Sequence, residues 1–291
     1  MANSLGVKKA AVQSIIEEYH APILRTNGFV SYKNTGFLWY RVKKNLLHWV
    51  AIAKEYDLSA PSIDIGFGII PLFTWEHIGH DGTSSTWGWE YSFGCGRYMN
   101  TFYIPQDYWS PIIPNRVWDK PLQGLKTWRS VHILAPYTDR FGAEIMETRL
   151  FPLMKALETP EKVYEWNIGI LLKLTKCRGK SELTKYICEY KGFHSLISEV
   201  IIDESLYCRD EVMFPAAEQY LEYLSKYDHI WGRKTKEKEE ELRFTQENAL
   251  AKLKALRARD WQSLTDRLLL TKEKMLNQIR RKLPDLSIID T

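Results

Sequence analysis

The stretch FVSYKNTGFLWYRVKKNLLHWVAIAKEYDLSAPSIDIGFGIIPLF, residues 29–73, decides the fold class of this chain. Apolar and aromatic residues dominate positions 37–42 and 46–52, and the polar turn Lys43-Lys44-Asn45 separates the two segments. At positions 62–70 apolar residues alternate with small or polar ones, which is the period of a half-buried strand. We therefore predict three or four short antiparallel strands in succession.

An amphipathic helix over residues 7–24 precedes this sheet. Apolar side chains recur there at three- and four-residue steps: Val12, Ile15, Ile16, Tyr19 and Ile23. Asn27-Gly28 ends the pattern, and glycine readily takes the left-handed backbone that follows many helices. Because a small sheet needs a second apolar layer to be stable in water, we expect it to pack on this helix. The predicted fold class is α+β.

The next segment, residues 74–137, is rich in Trp, Gly and Pro. Eight of the 11 Trp of the chain lie between positions 39 and 128. We predict strands at residues 86–97 and 99–104, and structured loops that cover the sheet elsewhere. Core packing, a protein interface and a platform for a stacked ligand ring each explain such a Trp density. The predicted interaction residues here are Trp75, Trp87, Trp89, Trp109 and Trp118.

The sequence after residue 139 has helical patterns. Predicted helices span residues 141–157, 160–176, 181–190, 195–206 and 214–227, and Thr159-Pro160 has the residue types of an N-cap followed by a first helical position. Residues 233–283 contain no Gly or Pro, which predicts one long amphipathic helix of roughly 75 Å. Its apolar stripe adds three predicted interaction residues: Trp261, Leu264 and Leu268. The predicted organisation is a sheet domain over 1–139, a helical region over 140–231 and a long basic helix over 232–291.

The net charge of +4 is unevenly distributed. Between positions 232 and 284, 15 Lys or Arg stand against 8 Asp or Glu, a net of +7, which leaves −3 for the rest of the chain. Because phosphate backbones bind clustered positive charge, nucleic acid is a candidate partner for Arg280, Arg281 and Lys282. Solvated cations on an amphipathic helix explain the same pattern.

One short cluster has the residue types of a metal site. His77, His80 and Asp81 lie within five positions, and imidazole and carboxylate groups hold divalent metals. A solvated turn explains the same residues, since Gly79-His80-Asp81-Gly82 has the composition of a turn. Neither a glycine-rich phosphate loop nor a G-x-S-x-G motif occurs in the sequence, and we predict no cofactor.

We recognise no targeting signal in the sequence. No apolar run approaches the ~18 residues of a membrane span, and acidic residues occupy positions where a signal peptide has its apolar region. The four Cys have no C-x-x-C spacing. We therefore expect a cytoplasmic protein without a membrane partner.

Several local patterns of the first half of the chain occur together. They are a helix that ends in Asn27-Gly28-Phe29, an aromatic strand with arginine at residues 37–41, Trp-Val-Ala-Ile from Trp49, and Ser-Ile-Asp-Ile-Gly-Phe from Ser62. With these patterns the chain resembles an uncharacterised bacterial α+β domain family of unknown function. The resemblance implies a bacterial-type α+β fold and no particular activity.

These observations lead to three functional hypotheses. The first is a non-enzymatic interaction protein, such as an accessory or regulatory subunit, which contacts a protein partner or a second copy through its aromatic residues and its C-terminal helix. The second is a nucleic-acid-binding component that uses the basic arm. The third is a metal-dependent hydrolase at His77 and His80.

Overall fold

The computed structural model describes residues 16–32, 38–55, 62–74, 131–136, 146–190, 199–228, 234–286 and 288–289. These residues form a sheet that is antiparallel apart from the short strand Ile288–Ile289, which pairs in parallel with Val42 and Lys43. Helices pack on both faces of the sheet, and a group of helices lies beside it. The predicted α+β class is therefore confirmed. The predicted strands at 86–97 and 99–104 and most of the Trp-rich segment lie outside the described residues.

The elements follow one another in a simple order. The strands are β1 Val30–Ser31, β2 Leu38–Lys43, β3 Leu46–Glu55, β4 Ser62–Pro71, β5 Val131–Pro136 and β6 Ile288–Ile289. The helices are α1 Ala21–Thr26, α2 Phe151–Ala156, α3 Pro160–Thr175, α4 Lys180–Glu189, α5 Glu199–Tyr207, α6 Phe214–Ser225, α7 Lys236–Ala258 and α8 Trp261–Lys282. A π-helical turn precedes α1 at Ile16–His20 and another precedes α2 at Met146–Leu150.

The sheet has the order β1-β2-β3-β4-β5 with antiparallel neighbours. Lys44 and Asn45, with φ of 49° and 64°, form a two-residue turn whose twist matches that of the flanking strands, so the predicted hairpin is confirmed. The prediction of a loop at residues 131–136 is wrong, because these residues form β5, which pairs with β4. Pro136 is compatible with this strand because it is the last residue and needs no further ladder bond.

Both faces of the sheet are covered. Leu38, Tyr40 and Val42 of β2 pack against the second half of α8, in a cluster that includes Met275 and Ile279. The opposite face lies under α1 and α2. There the Arg25 guanidinium lies 5.6 Å from the ring of Trp39, and the rings of Phe29 and Phe151 lie 6.1 Å apart. Helix α1 thus covers one face, as predicted for the N-terminal helix, and α8 covers the other. Residues 7–15 of the predicted helix lie outside the described residues.

A second core belongs to the helices. Buried side chains of α3, α4, α5 and α6 pack together with α7 and the start of α8. The Thr159 Oγ1 accepts the Lys162 N–H at 3.4 Å, so the predicted N-cap of α3 is confirmed. The predicted helices at 181–190 and 214–227 match α4 and α6 within a few residues.

The prediction of one long helix over residues 233–283 is wrong. Arg259 takes a left-handed backbone with φ of 52°, which ends α7. Asp260 then starts α8: its Oδ1 accepts the Ser263 N–H at 3.0 Å and its Oδ2 accepts the Ser263 hydroxyl at 2.6 Å. The two helices lie side by side in an antiparallel hairpin, since Asn248 Nδ2 donates to Thr271 Oγ1 at 3.2 Å.

Helix α8 belongs to both cores. Leu264 packs in the helical core, whereas Met275, Ile279 and Leu283 pack under the sheet. The predicted boundary at 231/232 therefore does not separate two cores. Within the described ranges no helix is both long enough and apolar enough to cross a membrane.

Candidate interaction groove

A groove of about 300 Å³ lies where the sheet, the end of α5 and the first half of α8 meet. We call it the aromatic groove. Its apolar lining consists of Phe73, Leu206, Tyr207, Trp261, Leu264, Leu268 and Leu269. Its polar lining consists of Asn45, Arg209, Thr265 and Lys272. A volume of this size accommodates one or two large side chains.

One face of α8 provides half of this lining. Trp261, Leu264, Leu268 and Lys272 follow one another at three- and four-residue steps, which place them on one side of the helix. Leu264 and Leu268 are buried and form the floor, whereas the Leu269 side chain beside them is 51% exposed. The cap at Asp260 fixes where this face begins, and the hydrogen bonds from Ser263 hold the pKa of the Asp260 carboxyl below its ordinary value.

Aromatic contacts hold the walls of the groove in place. The rings of Phe73 and Tyr207 stack with centroids 4.2 Å apart and an angle of 12° between the planes. Trp261 packs on Phe214 at 5.5 Å, and the Arg209 guanidinium lies 5.8 Å from the centroid of the Trp261 ring. Arg209 has a φ of 52° in the turn that follows α5. The walls are therefore fixed by packing, and binding would require little reorganisation.

The electrostatic character of the groove is positive. Arg209 and Lys272 are its two charged lining residues, and no carboxylate lines it among the described side chains. Lys272 Nζ donates to Asn45 Oδ1 at 2.6 Å, which fixes the ammonium at the rim. Burial and the nearby Glu161 carboxylate raise the pKa of Tyr207, so its hydroxyl stays protonated at neutral pH.

The lining of the groove contains no His, Cys, Ser, Asp or Glu among the described residues. Nor does any group of three or more His, Cys, Asp or Glu side chains capable of holding a metal occur within the described part of the chain.

The structure brings together only part of the predicted interaction set. Trp261, Leu264 and Leu268 meet in the aromatic groove. The other five predicted residues, Trp75, Trp87, Trp89, Trp109 and Trp118, lie outside the described residues, as do His77, His80 and Asp81. Sequence reasoning missed Phe73, Tyr207 and Arg209, because Phe73 follows β4, the other two lie at the end of α5, and none belongs to a motif.

Three cations of the basic segment 232–284 contact other side chains of this protein. Lys252 is buried against Asp203, Arg257 is 3.3 Å from both Glu218 and Glu222, and the Lys274 ammonium lies 3.3 Å from the centroid of the Phe244 ring. Arg280 and Arg281 are exposed near the end of α8, where positive charge complements the helix dipole. The Lys282 side chain lies outside the description. Nucleic-acid binding by Arg280, Arg281 and Lys282 stays a prediction.

Comparison with known proteins adds no relative. No family model, no curated protein and no solved structure matches this chain. The resemblance to a bacterial α+β family therefore stays a prediction.

Proposed function

We propose that this protein is a non-enzymatic interaction protein whose aromatic groove binds a short segment of a protein partner. The segment has one or two large apolar side chains with acidic residues beside them. The observation that carries this proposal is the composition of the lining: a preformed apolar floor with two cations and no carboxylate among the described residues.

The apolar part of the partner follows from the floor and its exposed edge. Leu269 is 51% exposed and follows directly after Leu268 on α8. An inserted Leu, Phe or Trp side chain would cover Leu269 and contact Trp261 and Tyr207. Buried aromatic and aliphatic anchors of this kind supply most of the free energy of binding at protein interfaces.

The acidic residues proposed for the partner are inferred from the two cations at the rim of the groove. Arg209 and Lys272 lie on two different elements at the mouth of the groove, and neither is neutralised by a carboxylate in the lining. A carboxylate of the partner would meet either cation at the rim, where charge complementarity raises the association rate and selects among partners. A lysine beside the same anchor would be repelled.

The experiment is a fluorescence-polarisation titration of the full chain with 12-residue peptides that carry a Leu or Trp anchor flanked by Asp and Glu. The control peptides keep the anchor and carry Lys in place of the acids. We expect the acidic peptides to bind at least ~10-fold more tightly, and Leu269→Glu to reduce their affinity by ~10-fold or more.

Leu250→Glu is the matched control variant. Leu250 is 43% exposed and lies on α7, outside the groove lining, so the same charge is introduced on an equally exposed leucine. Equal affinity for acidic and basic peptides, or equal loss of binding in both variants, would contradict the proposal. If light scattering shows a concentration-dependent dimer that Leu269→Glu dissociates, a second copy occupies the groove instead of a foreign segment, and the proposal of a protein partner is overturned.

A further inference from the structure

A second cavity lies on the other side of the sheet from α8. It has a volume of about 620 Å³ and opens between the β2–β3 hairpin and the segment from Glu147 to Glu158. Arg41 of β2 and His48 of β3 line it, and these residues are directly paired across the two strands. We call it the Arg41–His48 cavity. It shares no lining residue with the aromatic groove.

The Arg41 guanidinium has no carboxylate partner among the described residues. Its Nη1 donates to the Asn27 carbonyl oxygen at 3.0 Å, and its Nη2 lies 3.8 Å from the Met154 sulfur. Its Nε is buried and has no hydrogen-bond partner. The Nε–Nη2 edge, which in other proteins binds both oxygens of an oxyanion, therefore meets only a weak acceptor. Burial lowers the pKa of Arg41 to about 10, which leaves it charged at neutral pH.

His48 is the second unsatisfied group. The side chain is 1% exposed, and neither Nδ1 nor Nε2 has a hydrogen-bond partner among the described residues. Burial, together with the charges of Arg41 and Lys43, holds the pKa of His48 well below its ordinary value. The imidazole is therefore neutral at pH 7 and has one N–H to donate. A buried donor without a partner is rare in folded proteins, and two adjacent ones in one cavity point to a missing acceptor.

The charges around the cavity favour a negative ligand. Lys43 and Lys155 add positive charge to that of Arg41. Glu158 is already held by Lys44 at 3.0 Å and by Lys162 at 3.5 Å, and these contacts lower its pKa. Glu147 is the other acidic lining residue, and its side chain is exposed to solvent.

We propose that the Arg41–His48 cavity binds a small oxyanion, a carboxylate or a phosphate group, with the Nε–Nη2 edge of Arg41 and one imidazole N–H of His48 as donors and Lys155 at its mouth. The Met154 thioether lies next to Nη2 and would move aside when the oxyanion binds, since methionine is the most flexible of the apolar side chains. Phe151 and Pro152 provide an apolar wall for the remainder of an organic acid.

The test is isothermal titration calorimetry of the full chain with inorganic phosphate and with benzoate at low ionic strength, with sodium chloride as the blank. We expect at least one probe to bind with a dissociation constant on the order of 0.1–1 mM, which is typical of a tight contact with so few atoms. Tighter binding of phosphate identifies a phosphoryl ligand, and tighter binding of benzoate identifies a carboxylate. Either outcome supports the site.

Arg41→Lys keeps the charge and removes the two-donor edge, so we expect a loss of ~10-fold or more in affinity. Arg257→Lys, on the exposed side of α7, is the matched control and leaves binding unchanged. If Arg41→Lys does not fold, Lys155→Gln replaces it, because Lys155 is exposed. We expect Lys155→Gln to lose ~2–5-fold in affinity for the probe at low ionic strength, and this difference from the wild type to shrink as salt is added. Lys185→Gln is the control, because Lys185 is also exposed.

A third readout locates the ligand. Histidine-selective ¹⁵N labelling, with the His48 signals assigned through His48→Gln, should show a shift of the His48 ring nitrogens on addition of the binding probe, because one N–H acquires an acceptor. The proposal is overturned if the wild-type chain binds neither probe at ~10 mM, if Lys155→Gln and Arg41→Lys bind like the wild type, or if the His48 signals do not move on saturation.

Discussion

Lys252 Nζ donates to both carboxylate oxygens of Asp203, at 2.6 and 2.7 Å, and neither side chain has any exposed surface. This pair joins α7 to α5 inside the helical core. The two partners neutralise each other, but each depends on the other because an isolated charge at this depth is costly.

The first prediction follows from this dependence. Lys252→Met should lower the free energy of unfolding by about 3–5 kcal/mol, because it leaves the Asp203 carboxylate buried without its cation. The double variant Lys252→Met/Asp203→Leu should recover most of this loss. Urea denaturation followed by circular dichroism measures both values. Arg257→Met is the control, since Arg257 is exposed and its pairs are expected to contribute less than about 1 kcal/mol.

The second prediction concerns Glu204, which is buried next to this pair and accepts hydrogen bonds from Asn167 Nδ2 at 3.0 and 3.3 Å. Burial raises the pKa of Glu204 to about 8, and the Asp203 charge adds to the shift. Between pH 4.5 and 8 the unfolded chain releases a proton that the folded chain retains, so stability falls as the pH rises through this window. The slope should approach about 1.4 kcal/mol per pH unit.

Glu204→Gln should remove this slope, because the amide cannot ionise. We expect the variant to match the wild type near pH 5 and to be more stable near pH 8, in urea denaturation at each pH. Glu239→Gln, an exposed acid on α7, is the control and should leave the slope intact. A variant with the wild-type slope would show that Glu204 is ionised in the folded protein.

The third prediction concerns the acid side of the pH profile. His20 is 1% exposed, has no hydrogen-bond partner for either ring nitrogen, and has its pKa lowered by burial to about 4. Below pH 6.5 the His20 imidazole binds a proton in the unfolded chain but not in the folded chain, so the free energy of unfolding falls as the pH drops from 6.5 towards 4. His48 contributes in the same direction.

The wild type should lose free energy of unfolding between pH 6.5 and 4 because of His20, and His20→Leu should remove this part of the loss. We expect the part to reach about 3 kcal/mol near pH 4. Thermal denaturation at pH 7.5 provides the reference, because both forms are neutral at this position there. Parallel pH profiles for the variant and the wild type would contradict a buried neutral His20.

The fourth prediction tests the turn between α7 and α8. Arg259 has a left-handed backbone, which glycine adopts without a steric penalty, so Arg259→Gly should stabilise the protein by about 0.5–1 kcal/mol. In one continuous helix the same change would destabilise by about 1 kcal/mol. The sign of the change in the free energy of unfolding thus distinguishes the two structures. Arg257→Gly, two residues earlier and inside α7, should destabilise.

The elements that could be predicted from the sequence are those whose signals are local. The turn at Lys44-Asn45 and the N-cap at Thr159 each depend on two or three neighbouring residues, and both are confirmed. The break at Arg259-Asp260 was missed because neither Gly nor Pro marks it. Asp260 directly before Trp261 is nevertheless a good N-cap residue, and this was the available signal.

The sites required tertiary information. The stripe of Trp261, Leu264 and Leu268 was visible in the sequence, but its neighbours in the groove come from separate segments of the chain. In the second cavity, the sequence did not reveal that Arg41 lies beside His48 with no carboxylate partner among the described residues. That relationship depends on strand register and on the position of α2.

The side of the sheet that α8 covers has a consequence for the nascent chain. Lys272 contacts Asn45 across 227 positions of sequence. At a translation rate of ~5–20 residues per second, the β2–β3 hairpin emerges from the ribosome roughly 10–45 seconds before the helix that completes its core. During that interval Leu38, Tyr40 and Trp49 form an apolar surface with no cover from α8. Until α8 has been synthesised, this face of the sheet is therefore open to misfolding and aggregation.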